Sequence, residues 1–325
     1  MQYQGAAEEK GVKVRVDSFP VASELVNELM AKVRAQAIDC PSLRKKLFQV
    51  NFHTTLHGEA MITMIYHRKL DDDWKKEALN MREEIQKSCS GLEVLHLIGR
   101  SRKQKMCLDA DEVTEVLNVQ GRGELRYIQV EGAFSQPNAY VCASMLGWAV
   151  EATKGSHDHD LLGLYCGNGN FTAALAPNFR QVLATEISKS AVKAAKQNFE
   201  NNNVRNVFVA RMSSEEFTEA WKSDRQYKRL DGIDLKGCCF KTLLVDPPRA
   251  GLDPATRQLM REFDRVLYIS CNPDTLKRDF ESASDIFEIN SFAMFDQFPY
   301  THHVECGLYL KRKECLNSSK KQRVE

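Results

Sequence analysis

The chain has 325 residues, enough for two domains of ordinary size with a core each. Its 45 Lys+Arg against 44 Asp+Glu leave a net charge of +1, and 43% of its residues are hydrophobic, a globular composition with no general pull toward a polyanion. No stretch approaches twenty apolar residues, which excludes a membrane-spanning helix and leaves no membrane partner to expect.

Residues 1–16 have neither the apolar core of a secretory signal nor the Arg/Ser richness of a transit peptide, so a cytoplasmic address is expected. Ten cysteines are scattered along the chain. No CxxC pair or Cys/His cluster has zinc or iron–sulfur spacing, so reduced thiols and no metal are expected. Residues 1–135 hold 20 basic and 20 acidic side chains, so neither end is basic overall. Local clusters stand out at Arg44-Lys45-Lys46, at Arg100, Arg102, Lys103 and Lys105, and in the tail from Lys311 to Arg323.

Residues 1–135 read as an α+β domain. The stretch ASELVNELMAKVRAQA suggests an amphipathic helix, and FQVNFHTTLHGEAMITMIYH suggests a hairpin turning at His57-Gly58. A second helix is expected in DDDWKKEALNMREEIQKS, opened by acids that suit a helix N-terminus. From residue 136 to 325 apolar strands alternate with helices: LLGLYC, NFTAALA, QVLATE, SKSAVKAAKQNFENN, VFVAR, TLLVDPP, PATRQLMREF and RVLYISC. The second of these helices would bury Ala191, Val192, Ala195 and Phe199. The pattern predicts an α/β domain whose parallel sheet is covered on both faces and binds ligands beyond the carboxyl ends of its strands.

LYCGNGNF follows the first of these strands. Gly167 and Gly169 permit a tight turn and a close ligand approach, while Glu186, ending the next strand, could take both hydroxyls of a ribose. Thr172 stands where a nicotinamide fold would want a third glycine, which tilts the cofactor toward S-adenosylmethionine. In VDPPRAGLD two prolines pin Asp246 at a strand end, and Asp253-Pro254 reads as a cap opening a helix. Cys271 in YISCNPDTL lies at another strand end, ahead of a helix whose dipole would favour a thiolate. Beside a methyl donor, a thiolate can add to carbon 6 of a pyrimidine and make carbon 5 nucleophilic. The proton on carbon 5 must then leave, and Glu305, set among apolar and aromatic residues, could take it. His302 and His303 would point in opposite directions on a strand and are read as structural or as substrate contacts.

The stretches SQPNA, LYCGNGNF, VLATEI, VDPPRAGLD, YISCNPDTL and FDQFPYTHHVECG closely resemble the bacterial type of tRNA (uracil-5-)-methyltransferase, and the similarity runs from about residue 13 to 312. The resemblance implies a Rossmann-like class I S-adenosylmethionine methyltransferase domain at 136–325 behind an RNA-binding α+β domain at 1–135. It implies 5-methylation of the T-loop uridine of tRNA, with the T-arm gripped by the first domain and other structured RNAs carrying a T-loop-like element as further partners. Cys271 then falls on the nucleophile and Glu305 on the base, while Gln136, Tyr165, Asn170, Glu186 and Asp246 fall on cofactor-binding positions. Gln136 and Asp246 are also candidates to orient the uracil. The related enzymes of ribosomal RNA carry a cysteine cluster for an iron–sulfur centre, which this sequence lacks.

Two departures from the family pattern stand out. The chain is expected to be N-terminally incomplete relative to the family, and Gly163 occupies the strand end where the family carries an acid that sets the methionine end of the cofactor. The alternative these departures leave open is a catalytically impaired RNA-binding or tRNA-folding protein. An amino-group methyltransferase using the Asp-Pro-Pro-Arg stretch would leave Cys271 and Glu305 without a task.

Overall fold

A computed structural model describes residues 16–223 and 227–314. The first fifteen residues and the part of the basic tail beyond residue 314 lie outside the described residues. The chain forms two compact units: one runs to Leu117 and resumes at Arg126–Ser135, and the other takes Asn118–Leu125 and everything from Gln136. None of the described helices is long and apolar enough to cross a membrane.

In the first unit, α1 (Glu24–Asp39), α2 (Pro41–Arg44) and α3 (Asp72–Ser88) accompany a four-stranded sheet. Its strands, in spatial order, are β1 (Leu47–Thr54), β2 (Glu59–Tyr66), β3 (Val94–Ser101) and β4 (Gln104–Cys107). The expected hairpin is β1–β2, turning through Gly58 at φ 80°. Both expected helices form. Ser23 caps α1 by accepting from the Val26 amide, and Asp71 caps α3 by accepting from the Trp74 amide. On α3, Trp74, Ala78, Met81 and Ile85 recur at helical spacing and are buried against Ile62, Met64 and Leu97 of the sheet.

A two-stranded hairpin, β5 (Glu112–Val119) and β6 (Gly123–Val130), follows, with its tip assigned to the second unit. Just beyond it, Glu131 accepts from Arg100 Nε at 2.8 Å and lies 3.2 Å from Lys105 Nζ. Two of the four cations in the Arg100–Lys105 cluster are therefore neutralised within the fold.

The second unit carries a seven-stranded sheet in the order β12-β13-β11-β10-β7-β8-β9. Five parallel strands form its body: β7 (Asp160–Leu164), β8 (Val182–Thr185), β9 (Val207–Ala210), β10 (Phe240–Val245) and β11 (Arg265–Ser270). The C-terminal hairpin, β12 (Phe287–Phe295) and β13 (Glu305–Arg312), adds an antiparallel edge, with β13 inserted beside β11. The helices are α4 (Ala139–Ala152), α5 (Asn170–Leu175), α6 (Lys189–Asn201), α7 (Ser214–Lys222), α8 (Pro254–Met260) and α9 (Pro273–Glu281). β7 is buried along its whole length, as an apolar strand between two helical layers must be.

The buried stripe of α6 differs from the expected one. Ala194, Ala195, Asn198 and Phe199 are buried, whereas Ala191 and Val192 are only partly covered. Asn198 is inside because its side-chain amide donates to the carbonyl of Asn168 in the glycine loop, a contact that hydrophobic periodicity does not register.

Gly99 of β3 lies directly under Trp74, and a Cβ there would collide with the indole and with Leu70. Gly99→Ala should therefore destabilise the folded chain by about 1–3 kcal/mol through overpacking, read by urea unfolding. Trp74→Phe in the same chain should recover part of that loss; an unchanged unfolding midpoint in Gly99→Ala would contradict this packing.

Candidate functional site

Strand order reverses between β7 and β10, and the residues leaving these two strands sit side by side, since Leu164 pairs with Val245. Tyr165 follows one strand and Asp246 the other. Open sheets of this kind bind ligands at that reversal, beyond the carboxyl ends. β11 delivers Ser270 and then Cys271 to the same edge, and antiparallel β13 starts there with Glu305, because Ser270 pairs with Cys306. All seven residues singled out in the sequence belong to this unit.

The turn after β7 is built from left-handed backbone: Tyr165 at φ 61°, Gly167 at 55° and Gly169 at 80°. Gly169 caps α5, and a Cβ on it would come within 2.7 Å of the Phe199 ring, so helix packing alone demands glycine there. Gly167 is different, for a Cβ there would meet nothing within 4 Å. That open space beside a left-handed turn suits a ligand's close approach. Tyr165, a side chain in strained backbone, is tethered at its tip. Its hydroxyl accepts from Ser214 at 2.6 Å and donates to Asp253 at 3.3 Å. Asp253 also caps α8, accepting from the Thr256 amide, as the Asp-Pro spacing predicts.

Glu186 follows β8 and accepts from the amides of Gly167 at 3.0 Å and Ser188 at 2.7 Å. The carboxylate thus ties the glycine turn to the start of α6 and stands at the strand end where a ribose would be held. Asn170 opens α5, its side-chain amide 3.2 Å from the Cys142 sulfur. Gln136 precedes α4 and accepts from the Gln297 side chain at 2.8 Å. Open space at Gly167 and a carboxylate at the end of β8 fit a nucleoside-type cofactor such as S-adenosylmethionine. Gly163 leaves room as well: a Cβ there would meet Leu244, the Leu183 carbonyl and the Thr172 hydroxyl no closer than 3.8 Å. That hydroxyl is buried and has no partner among the described residues.

Cys271, Asp246 and Glu305 share one electrostatic environment. Burial, then the charge of Glu305, raise the pKa of Asp246 to about 7. Burial alone raises Glu305, which is 3% exposed and so is no surface acid. Burial pushes the Cys271 thiol up, the charges of Glu305 and Asp246 push it further, and Arg249 opposes them. Desolvation and two carboxylates thus favour the thiol over the thiolate expected from the helix dipole, against the guanidinium of Arg249.

Sequence reasoning missed the stitching that holds these groups. Asn272 caps α9 and also donates to the Arg249 carbonyl at 3.0 Å. Asp279, fully buried, accepts from the Leu252 amide and the Tyr268 hydroxyl, each at 2.8 Å. The loop after Asp246 is thereby fastened to the strand and helix that flank Cys271. The two histidines sit in the turn before β13, not on a strand, and His303 packs edge-on to Phe298.

A carboxyl whose pKa is raised on folding stabilises the fold below its unfolded pKa and loses that contribution as pH rises through 7. Asp246→Asn should therefore stabilise the chain at pH 8 by on the order of 2 kcal/mol, discounted for partial exposure, with the gain vanishing below about pH 4. Thermal unfolding across that range checks this; equal melting temperatures at pH 8 would contradict it.

Residues 2–313 match the family model described as tRNA (Uracil-5-)-methyltransferase. The tRNA/tmRNA (uracil-C(5))-methyltransferase of Shigella flexneri serotype 5b is 50% identical over 301 residues, covering 93% of this chain and 81% of that protein. The protein of that name from Aeromonas salmonicida is 51% identical over 300 residues, covering 92% and 78%. The crystal structure of Pyrococcus abyssi tRNA (uracil-54, C5)-methyltransferase with S-adenosyl-L-homocysteine shares the fold, with a TM-score of 0.67 at 22% identity, over 94% of this chain and 72% of that one. The chain belongs to the tRNA (uracil-5-)-methyltransferase family.

Proposed function

We propose that this chain is an S-adenosylmethionine-dependent enzyme that forms 5-methyluridine in the T-loop of tRNA, with Cys271 as nucleophile and Glu305 as base. What carries the assignment is the mutual electrostatics of Cys271, Asp246 and Glu305 at one end of a methyltransferase sheet. An amino-group methyltransferase has no task for a thiol placed there.

Gln136, Tyr165, Asn170, Glu186 and Asp246 hold the cofactor in this reading. When bound, the cofactor supplies the electrophilic methyl group that carbon 5 takes. Target carbons inside a folded loop are out of reach, so the uridine is turned out of its stack into the site. As the Cys271 sulfur bonds to carbon 6, its proton passes to Asp246, whose pKa of about 7 makes it a ready acceptor near neutrality. The ring becomes an enolate with electron density at carbon 5. After carbon 5 is methylated, Glu305 takes its proton, the carbon 5–carbon 6 double bond re-forms and the sulfur–carbon bond breaks. The sulfur leaves as thiolate and recovers its proton from Asp246.

The first unit grips the T-arm by shape and backbone contacts. Arg44, Lys45 and Lys46 are exposed, and Phe48, 65% exposed, packs edge-on to His67, offering an aromatic face beside cations.

Glu305→Gln should cut turnover by about 10²–10⁴-fold and accumulate a methylated RNA–protein adduct that survives denaturing electrophoresis. Cys271→Ser should show neither turnover nor adduct while keeping its affinity for S-adenosylhomocysteine. Turnover in Cys271→Ser would overturn the mechanism. The alternative of an RNA-binding protein without turnover, which Gly163 favours, predicts no adduct in any variant and no cofactor binding.

A further inference from the structure

We propose that Gln297 is a positioning residue that sets which end of the Gln136 amide faces the ligand. Gln297 lies in the turn between β12 and β13 and is 2% exposed. Its side-chain Nε2 donates to Gln136 Oε1 at 2.8 Å, across 161 residues of sequence. Its own Oε1 is buried and has no partner among the described residues. A buried acceptor left unpaired is costly, and an apolar side chain of the same length would remove that cost. The burial cost of the unpaired carbonyl is offset only through the Nε2 bond, so the function of the amide lies in the half that holds Gln136.

The consequence is chemical. With its carbonyl oxygen engaged by Gln297, partly exposed Gln136 presents Nε2, which only donates. It therefore suits an acceptor such as a carboxylate, a ribose oxygen or a purine ring nitrogen, all of which S-adenosylmethionine carries. Turning both amides round would leave both hydrogens of the buried NH2 unused, where the present arrangement uses one of them, and orphaned buried N–H groups are rarer than under-satisfied carbonyls. The backbone amide of Gln297 donates to the Phe295 carbonyl at 3.0 Å, which fixes the turn from which the side chain reaches Gln136.

The inference rests on the reading of Gln136 as a cofactor contact, and a double-mutant cycle separates the two. Binding of S-adenosylhomocysteine to the full chain is measured by calorimetry for Gln136→Met, Gln297→Met and the double variant, with thermal unfolding as the check on folding. Gln136→Met should weaken binding about tenfold and Gln297→Met several-fold, and the double variant should bind no worse than Gln136→Met alone. Gln297→Glu gives an independent result, since a carboxylate there can only accept. It would turn the Gln136 carbonyl toward the ligand and weaken binding more than Gln297→Met. Unchanged binding in Gln136→Met would sink the reading of Gln136, and this inference with it. Weakened binding in Gln136→Met with none in Gln297→Met, or effects that multiply in the double variant, would sink the inference alone. Binding by Gln297→Glu as tight as by Gln297→Met would also overturn it.

Discussion

Desolvation at the carboxyl end of one sheet governs this protein. A thiol and two carboxylates lie where β10, β11 and β13 meet, and burial disfavours the charge on all three. Asp246, with its pKa of about 7, is thereby poised to exchange a proton near neutrality. The arrangement costs folding free energy, as functional sites commonly do. It also explains why a cysteine at a helix start is not a thiolate here: its neighbours are acids, with Arg249 the opposing charge.

Holding such a site together requires fastenings outside it. Asp279 gathers Leu252, Tyr268 and the guanidinium of Arg278 around one buried carboxylate. Asn272 and Thr275 both reach the Arg249 carbonyl. At the turn after β7, Ser214 and Asp253 hold the hydroxyl of Tyr165, whose backbone is left-handed, and Glu186 holds the turn at Gly167. These bonds join loops to the elements that precede and follow them and so fix the spacing of the strand ends.

Much of this was legible in the sequence, and the reasons are physical. Alternating apolar strands and helices gave the parallel sheet, and the two prolines after Asp246, like Asp253-Pro254, marked turns that local chemistry dictates. All seven candidate residues lie in one unit, and five of them, Tyr165, Glu186, Asp246, Cys271 and Glu305, are placed by the ends of strands that the sheet topology sets side by side. What stayed hidden depends on tertiary partners. Asn198 is buried through a bond to a loop carbonyl, the near-complete burial of Glu305 follows from the pairing of β13 inside the sheet, and Gln297 meets Gln136 across a separation that no local pattern spans. The cations at 100–105 stood out in the sequence as a local basic cluster, but Arg100 and Lys105 are held by Glu131, whose proximity only folding creates.

The central claim is that the Cys271 sulfur bonds to carbon 6 of a tRNA uridine. A T-arm RNA carrying 5-fluorouridine at the target position tests it most directly, because fluorine on carbon 5 cannot be removed as a proton and the methylated intermediate cannot collapse. Incubated with the wild-type chain and S-adenosylmethionine, it should give a stable RNA–protein conjugate whose digestion yields the Cys271 peptide bearing one methylated fluorouridine by mass spectrometry. Recovery of the protein free of RNA, or a conjugate through any other residue, would contradict the account.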